Sequence, residues 1–150
     1  MCGRESVPGV VVQGYRLASN VDGTSPFGKG TIELQAPLFQ ARGIDLSGSY
    51  LATLNVSIHP HEWAMRLREP TVTGVSWHAD YPPENFFFSR CGVAVGSEIC
   101  EGWIYHPDPS TKQAHPHDAS VLEIIAPMIP NIRYGDEVVI WVDPREIRIE

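Results

Sequence analysis

Apolar and polar residues alternate in short bursts along this chain. In 51–58, Leu-Ala-Thr-Leu-Asn-Val-Ser-Ile, the apolar Leu54, Val56 and Ile58 interleave with Thr53, Asn55 and Ser57, the period-two pattern of a strand with one buried face. Similar short runs rich in Val, Ile, Phe and Trp recur between glycines and prolines. They predict strands over 9–13, 30–35, 50–58, 71–77, 85–95, 101–105, 120–126 and 137–142. Only 61–69, fenced by Pro60 and Pro70, predicts a helix, because proline is tolerated at a helix start and stops a helix from its interior. The polar stretches 19–27 and 106–118 predict long loops, where a compact β domain usually carries its binding chemistry. So many short strands in one small domain favour a closed sheet, since open edges invite aggregation. The expectation is an all-β fold.

Composition narrows the class without changing that picture. The 150 residues fit a single domain, 1–150, with 43% hydrophobic and 19% charged side chains, enough apolar material for a core and too little charge for a disordered chain. With 11 basic against 18 acidic residues the net charge is −7, and lysine occurs only at Lys29 and Lys112. No basic stripe is available for a nucleic-acid backbone, so no nucleic-acid partner is expected. No run approaches the roughly 20 apolar residues that span a bilayer, so no membrane partner is expected. Cys2, Cys91 and Cys100 form no C-x-x-C pair, and an odd number of thiols fits a reducing cytoplasm.

Several residues could carry chemistry. Thr53 and Asn55 share a strand face about 7 Å apart, close enough for a hydroxyl and an amide oxygen to reach one hard cation or a phosphate-bound Mg²⁺. Their oxygens are then expected to open into a cavity, whereas a solvated polar face is the ordinary alternative. Glu123 lies mid-strand in Ser120-Val121-Leu122-Glu123-Ile124-Ile125-Ala126-Pro127, on one face with Val121 and Ile125. An unpaired carboxylate is costly to bury, so it should reach water at the mouth of the closed sheet or meet a hydrogen-bonding partner. Gly28-Lys29-Gly30 offers close backbone approach and one ammonium, both suited to phosphate, although it lacks the spacing of a P-loop. The pairs His59/His61 and His115/His117 invite a metal, but no cysteine or carboxylate follows at a zinc-site spacing, and exposed loop histidines account for them as well. No serine sits in a G-x-S-x-G elbow.

Taken together, Thr53-Leu54-Asn55-Val56, Glu101-Gly102-Trp103-Ile104, Val121 to Met128 and Tyr134-Gly135-Asp136-Glu137-Val138-Val139-Ile140 resemble, in order and approximate spacing, the CTP-dependent riboflavin kinases of archaea. The likeness spans most of 10–140, and its specific parts are T-L-N and E-I-I-A-P-M. The resemblance implies a small closed six-stranded cradle-loop barrel with additional hairpins and long loops. It also implies transfer of the γ-phosphate of CTP, or of another nucleoside triphosphate, to the 5′-hydroxyl of riboflavin or a related small molecule. Carried over by position, Thr53 and Asn55 would bind Mg²⁺ and Glu123 would meet the flavin near its reacting hydroxyl. Gly14 with Gly28, Lys29 and Gly30 would approach the nucleotide phosphates. Ser110 or Thr111 would contact the flavin, and Met128, Ile129, Pro130 and Asn131 would lie where the family reads the nucleotide. The chain departs from the family pattern at Ala52, where the family carries glycine, and in the insertion bearing His115-Pro116-His117. A non-catalytic barrel holding a small ligand or nucleotide, and a metal-binding protein built on the histidine loops, are the alternative functions.

Overall fold

In a computed structural model, residues 3–13, 31–111 and 118–150 are described. The expected strand-rich fold is observed, with strands β1 (Glu5–Val12), β2 (Leu54–Ser57), β3 (Trp63–Met65), β4 (Val72–Val75), β5 (Glu84–Val95), β6 (Glu98–Pro107), β7 (Val121–Ile125), β8 (Glu137–Val142) and β9 (Ile147–Ile149). One helix, α1 (Thr31–Ala41), stands among them. Strand β1 pairs with β2 on one side and β8 on the other, β2 pairs with β7, β7 with β6, and β6 with β5. The β5–β8 pairing closes these six strands into a ring, and every pairing is antiparallel. The 12-residue β5 serves two neighbours on one edge, β4 with its first half and β8 with its second.

Alternation along the strands sorts side chains into two clusters. Inside the ring lie Val7, Val11, Val56, Ile104, Leu122, Ile124, Val138 and Ile140, all buried. The opposite face of β5, β6 and β7 presents Phe86, Phe88, Tyr105 and Ile125, and α1 covers it with Ile32, Ala36 and Phe39. Phe39 meets the rings of Phe86 and Phe88 edge-on, each at 4.9 Å between centroids.

Two expectations are corrected here. The segment from Thr31 onward is helix rather than strand. Its buried positions Ile32, Ala36 and Phe39 follow i, i+4, i+7, and the helix runs through Pro37, which the sequence reads as a stop. An interior proline costs roughly 3 kcal/mol of helix propensity, and burial of Ile32 and Phe39 against the sheet offsets it. The helix ends with Gly43 at φ +93°, where Ile44 N–H donates to Phe39 O (3.1 Å) and Gly43 N–H to Gln40 O (3.1 Å), the double bond of a Schellman cap. The second correction is 61–69, which holds no helix. Trp63 N–H donates to Ala119 O (2.9 Å), and β3 pairs with β9 in a two-stranded ribbon that adds Trp63 and Ile147 to the interior cluster. Tertiary pairing overrides the local proline punctuation in both places.

Candidate functional site

The register of the ring assembles the candidate residues. Asn55 on β2 stands directly opposite Glu123 on β7, and Val12 on β1 stands directly opposite Asn55. Paired residues in an antiparallel ladder point to one face. Their neighbours Val56 and Leu122 fill the ring interior, so Asn55 and Glu123 face outward, on the side that carries the α1-covered cluster. The β6–β7 pairs Trp103↔Ile125 and Ile104↔Ile124, carried one residue further, set Tyr105 beside Glu123, and Tyr105 in turn pairs with Phe88. Phe88, Tyr105, Glu123, Asn55 and Val12 thus form one transverse row over five strands. The row is aromatic under α1 and becomes polar at its half-buried middle, Glu123 and Asn55.

Thr53 lies one residue before β2, and its buried hydroxyl oxygen has no hydrogen-bond partner among the described residues. Leaving such a group unpaired costs about 1–3 kcal/mol. Asn55 turns its amide nitrogen to the Thr53 carbonyl oxygen at 3.5 Å, and its Oδ1 has no partner among the described residues. An uncommitted hydroxyl and an uncommitted amide oxygen two residues apart suit a hard cation, which prefers oxygen ligands.

Thr53 also lines a cavity of about 130 Å³ at the end of the ring where β2 begins and β7 finishes. Its wall is otherwise apolar, from Tyr50, Ala52 and Leu54 on one side and Ile124, Ala126, Pro127, Met128, Ile129 and Ile132 on the other. The opposite end of the same strand pair is closed by the ribbon, where Trp63 Nε1–H donates to Val121 O (2.9 Å). The expectation that the oxygens of Thr53 and Asn55 open together into a cavity is not met: Thr53 lines the cavity, but its hydroxyl oxygen is buried. Asn55 is not among the lining residues, because it faces outward from the ring.

The other candidates divide between the described residues and the rest. Met128 and Ile129 line the Thr53 cavity, whereas Pro130 and Asn131 (φ +62°) lie exposed in the turn beyond it. Ser110 and Thr111 shape the turn after β6. Ser110 Oγ donates to Asp108 Oδ1 (2.9 Å), and Thr111 Oγ1 accepts from Asn85 N–H (2.9 Å). Gly14, Gly28, Lys29, Gly30, His115 and His117 lie outside the described residues. His61 Nδ1 is 3.2 Å from Glu150 O, and among the described residues no group of three or more His, Cys, Asp or Glu is placed to hold a metal ion.

Sequence reasoning missed one buried polar pair. The Tyr105 hydroxyl donates to Gln35 Oε1 at 2.8 Å, and Gln35 on α1 is 2% exposed. Complete burial, the Glu123 and Glu84 carboxylates nearby, in that order, hold the phenol well above its usual range, so it stays neutral. The i, i+4, i+7 spacing of Ile32, Ala36 and Phe39 was the available signal, since it places Gln35 on the helix side that meets the sheet.

The chain matches no protein-family model and no curated protein. Among the described residues no helix is long and apolar enough to cross a membrane. Cys91 and Cys100 are free thiols, and burial pushes the Cys91 thiol up to about 12, which leaves it without thiolate character.

Proposed function

We propose that this protein is a small-molecule kinase of the CTP-dependent riboflavin kinase kind, transferring the γ-phosphate of a nucleoside triphosphate to the 5′-hydroxyl of riboflavin. The observation that carries the reading is the register: T-L-N and E-I-I-A-P, far apart in sequence, meet with Asn55 directly opposite Glu123 and the unpartnered Thr53 hydroxyl adjacent. In this reading Thr53 and Asn55 would hold Mg²⁺ beside the nucleotide phosphates. The ion would neutralise charge on the transferring phosphoryl group. Glu123 orients the acceptor hydroxyl and takes its proton as the oxygen attacks the γ-phosphorus. The bond from phosphorus to the β,γ-bridging oxygen breaks, and the nucleoside diphosphate leaves with that electron pair. Such chemistry needs mainly positioning and charge neutralisation, which a small set of residues can supply. The apolar cavity bearing Met128 and Ile129 supports a flat nucleobase held beside Thr53.

The test is direct. Protein, riboflavin, MgCl₂ and either CTP or ATP should yield FMN, separable by chromatography, and omission of Mg²⁺ should abolish it. Glu123→Gln keeps size and most hydrogen bonding but removes the base, so turnover should fall about 10²-fold or more while riboflavin affinity changes little. Asn55→Ala should raise the Mg²⁺ and nucleotide requirement while costing under about 1 kcal/mol of stability, because its one contact is a long one. Wild-type turnover in Glu123→Gln would refute the role of that carboxylate. The nearly all-apolar cavity equally suits a non-catalytic small-ligand module, which would show thermal stabilisation by riboflavin or nucleotide with no FMN formed.

A further inference from the structure

We propose that the outer face of β1, β2 and β8 carries a binding site for a primary alkylammonium group, in a cavity that none of Thr53, Asn55 and Glu123 lines. The site does not depend on the kinase reading. The cavity measures about 400 Å³, against about 130 Å³ beside Thr53. Strand register builds it. Glu137 on β8, Val10 on β1 and Ser57 on β2 stand in one transverse row, and Ala94, Val139 and Pro8 form a second row beside it. Their strand neighbours Val7, Val11, Val56, Val93, Val138 and Ile140 fill the ring interior, so both rows face outward. His59, two residues beyond Ser57, completes the wall.

Helix α1 leaves this side uncovered, since its cluster draws on β4, β5, β6 and β7 and takes no residue from β1, β2 or β8. Val10 is 39% exposed as a result. The lining is apolar at Pro8, Val10, Ala94 and Val139, with three polar side chains among them, those of Glu137, Ser57 and His59. A mostly apolar cleft of this size with a few polar groups is the usual form of a small-molecule site. Among the described residues the Glu137 carboxylate and the His59 ring make no hydrogen bond or ion pair, and the Ser57 hydroxyl oxygen accepts only a long bond, 3.4 Å, from His59 N–H. A carboxylate, a hydroxyl oxygen and the bare nitrogen of a neutral imidazole can all accept hydrogen bonds. An alkylammonium brings three N–H donors and a positive charge to these three acceptors, one of them an anion, and its chain suits the apolar wall. An anionic ligand would instead meet Glu137, and the net charge of −7 favours a cation as well. A transition metal would find His59 and Glu137, but among the described residues no third His, Cys, Asp or Glu joins them. The same chemistry is offered by a free small amine and by a lysine side chain.

The experiment is an amide NMR titration of the full chain in phosphate buffer with 1-aminopentane, and with 1-pentanol as a probe of the same chain length without the charge. 1-Aminopentane should shift the amides of Gly9, Val10, Ser57, Glu137 and Val139 in one saturable transition. 1-Pentanol should bind at least about tenfold more weakly, because it forms no charge-assisted hydrogen bond. Glu137→Gln keeps the size and removes the charge, so it should weaken 1-aminopentane about tenfold, and Ser57→Ala should weaken it about threefold. The two probes are compared on wild-type protein, so the test stands even if a variant fails to fold. Nα-acetyl-lysine amide separates the two sources: tighter binding than 1-aminopentane assigns the site to a lysine side chain, weaker binding to a free amine, and either supports the proposal. Shifts that do not saturate, equal binding of amine and alcohol, or unchanged amine binding in a folded Glu137→Gln overturns it. So does Zn²⁺ shifting these amides where 1-aminopentane shifts none. FMN formation plays no part in the readout, so failure of the kinase reading leaves this result as it stands.

Discussion

The two faces of the ring are built from different chemistry. The interior is mostly aliphatic and β-branched, with Val7, Val11, Val56, Ile104, Ile124, Val138 and Ile140 meeting across it and Trp63 added by the ribbon. The outer face under α1 is aromatic, with Phe39, Phe86, Phe88 and Tyr105 in contact and Trp103 at its margin. Ring size accounts for the difference. A sheet of about eight strands closes on an interior just wide enough for side chains to fill, and six strands enclose less, so compact branched residues suit it. The outer face is bounded only by a helix that can stand off as far as the side chains require. It therefore takes large rings and carries the fully buried pair Gln35 and Tyr105, whereas the inner face has its own polar residues in Ser89, whose Oγ donates to Glu146 Oε1 (2.7 Å), and His106 against Trp63. The inner face is the more aliphatic of the two, and the outer one carries the aromatic cluster together with Asn55 and Glu123.

Truncating one large side chain on each face sharpens this contrast most. Phe39→Ala should cost about 3–5 kcal/mol and Ile140→Ala about 2–5 kcal/mol, the range for emptying well-packed sites. Their signatures should differ more than their sizes. Phe39 joins α1 to the sheet, so its loss should raise amide hydrogen exchange in α1 while the ring strands keep their protection. Ile140 lies on β8, which both β1 and β5 need to close the ring, so its loss should lower protection in all three strands together. Uniform loss of protection in Phe39→Ala would mean that the two clusters unfold as one unit.

Close approach of backbone gives the next largest effect. A Cβ added at Gly102 on β6 would stand 2.8 Å from Ile125 O and 3.0 Å from the Ala126 Cβ, both on or beside β7. Backbone cannot swing aside as a flexible side chain does, so Gly102→Ala should push β6 from β7 and cost about 1–3 kcal/mol. The same movement would part Tyr105 from Glu123. In the proposed kinase reading, FMN formation should fall in Gly102→Ala by more than its loss of stability explains, as judged by activity per folded molecule. A variant destabilised but fully active per folded molecule would show that β6 takes no part in the site.

How legible this was from sequence follows from the same two faces. The interior strands were legible because one buried face imposes strict alternation: 137–142 coincides with β8, 85–95 differs from β5 by one residue at its start, and 120–126 differs from β7 by one residue at each end. The outer cover was not, because α1 is short, contains Pro37 and buries only one stripe, and local punctuation outweighed its period. Strands β3 and β9 escaped for another reason. Three residues each carry too little alternation to register, and their pairing joins positions more than eighty apart in the chain. Thr53, Asn55 and Glu123 were visible as polar interruptions of apolar strands. Their side of the sheet was not, because alternation says which residues share a face but not which face a closed ring turns inward.

The smallest effect expected lies at the exposed margin of the aromatic face, where charge replaces burial. Arg4 donates to both carboxylate oxygens of Glu101 at 2.8 and 2.9 Å, and Arg90 stands 3.6 Å from the same carboxylate while its guanidinium lies 4.8 Å from the Trp103 ring centroid. The hydrogen bonds from Arg4, followed by the nearby positive charges, hold the Glu101 carboxyl below its ordinary value of 4.5 against a partial opposing effect of burial. The Glu101 side chain is 44% exposed, so solvent screens the pair and its worth is at most about 1 kcal/mol. Because the folded value is the lower one, this stabilisation is fully present above pH 4.5 and is lost as the pH falls through the depressed folded value, when both states carry the proton. Glu101→Gln should therefore lower the melting temperature slightly at pH 7 and in low salt, less at high salt, and not at all at a pH below the folded value. A deficit that persists unchanged into acid would show that Glu101 acts through packing beside Trp103 rather than through charge, and would move this margin from the electrostatic side of the comparison to the packed one.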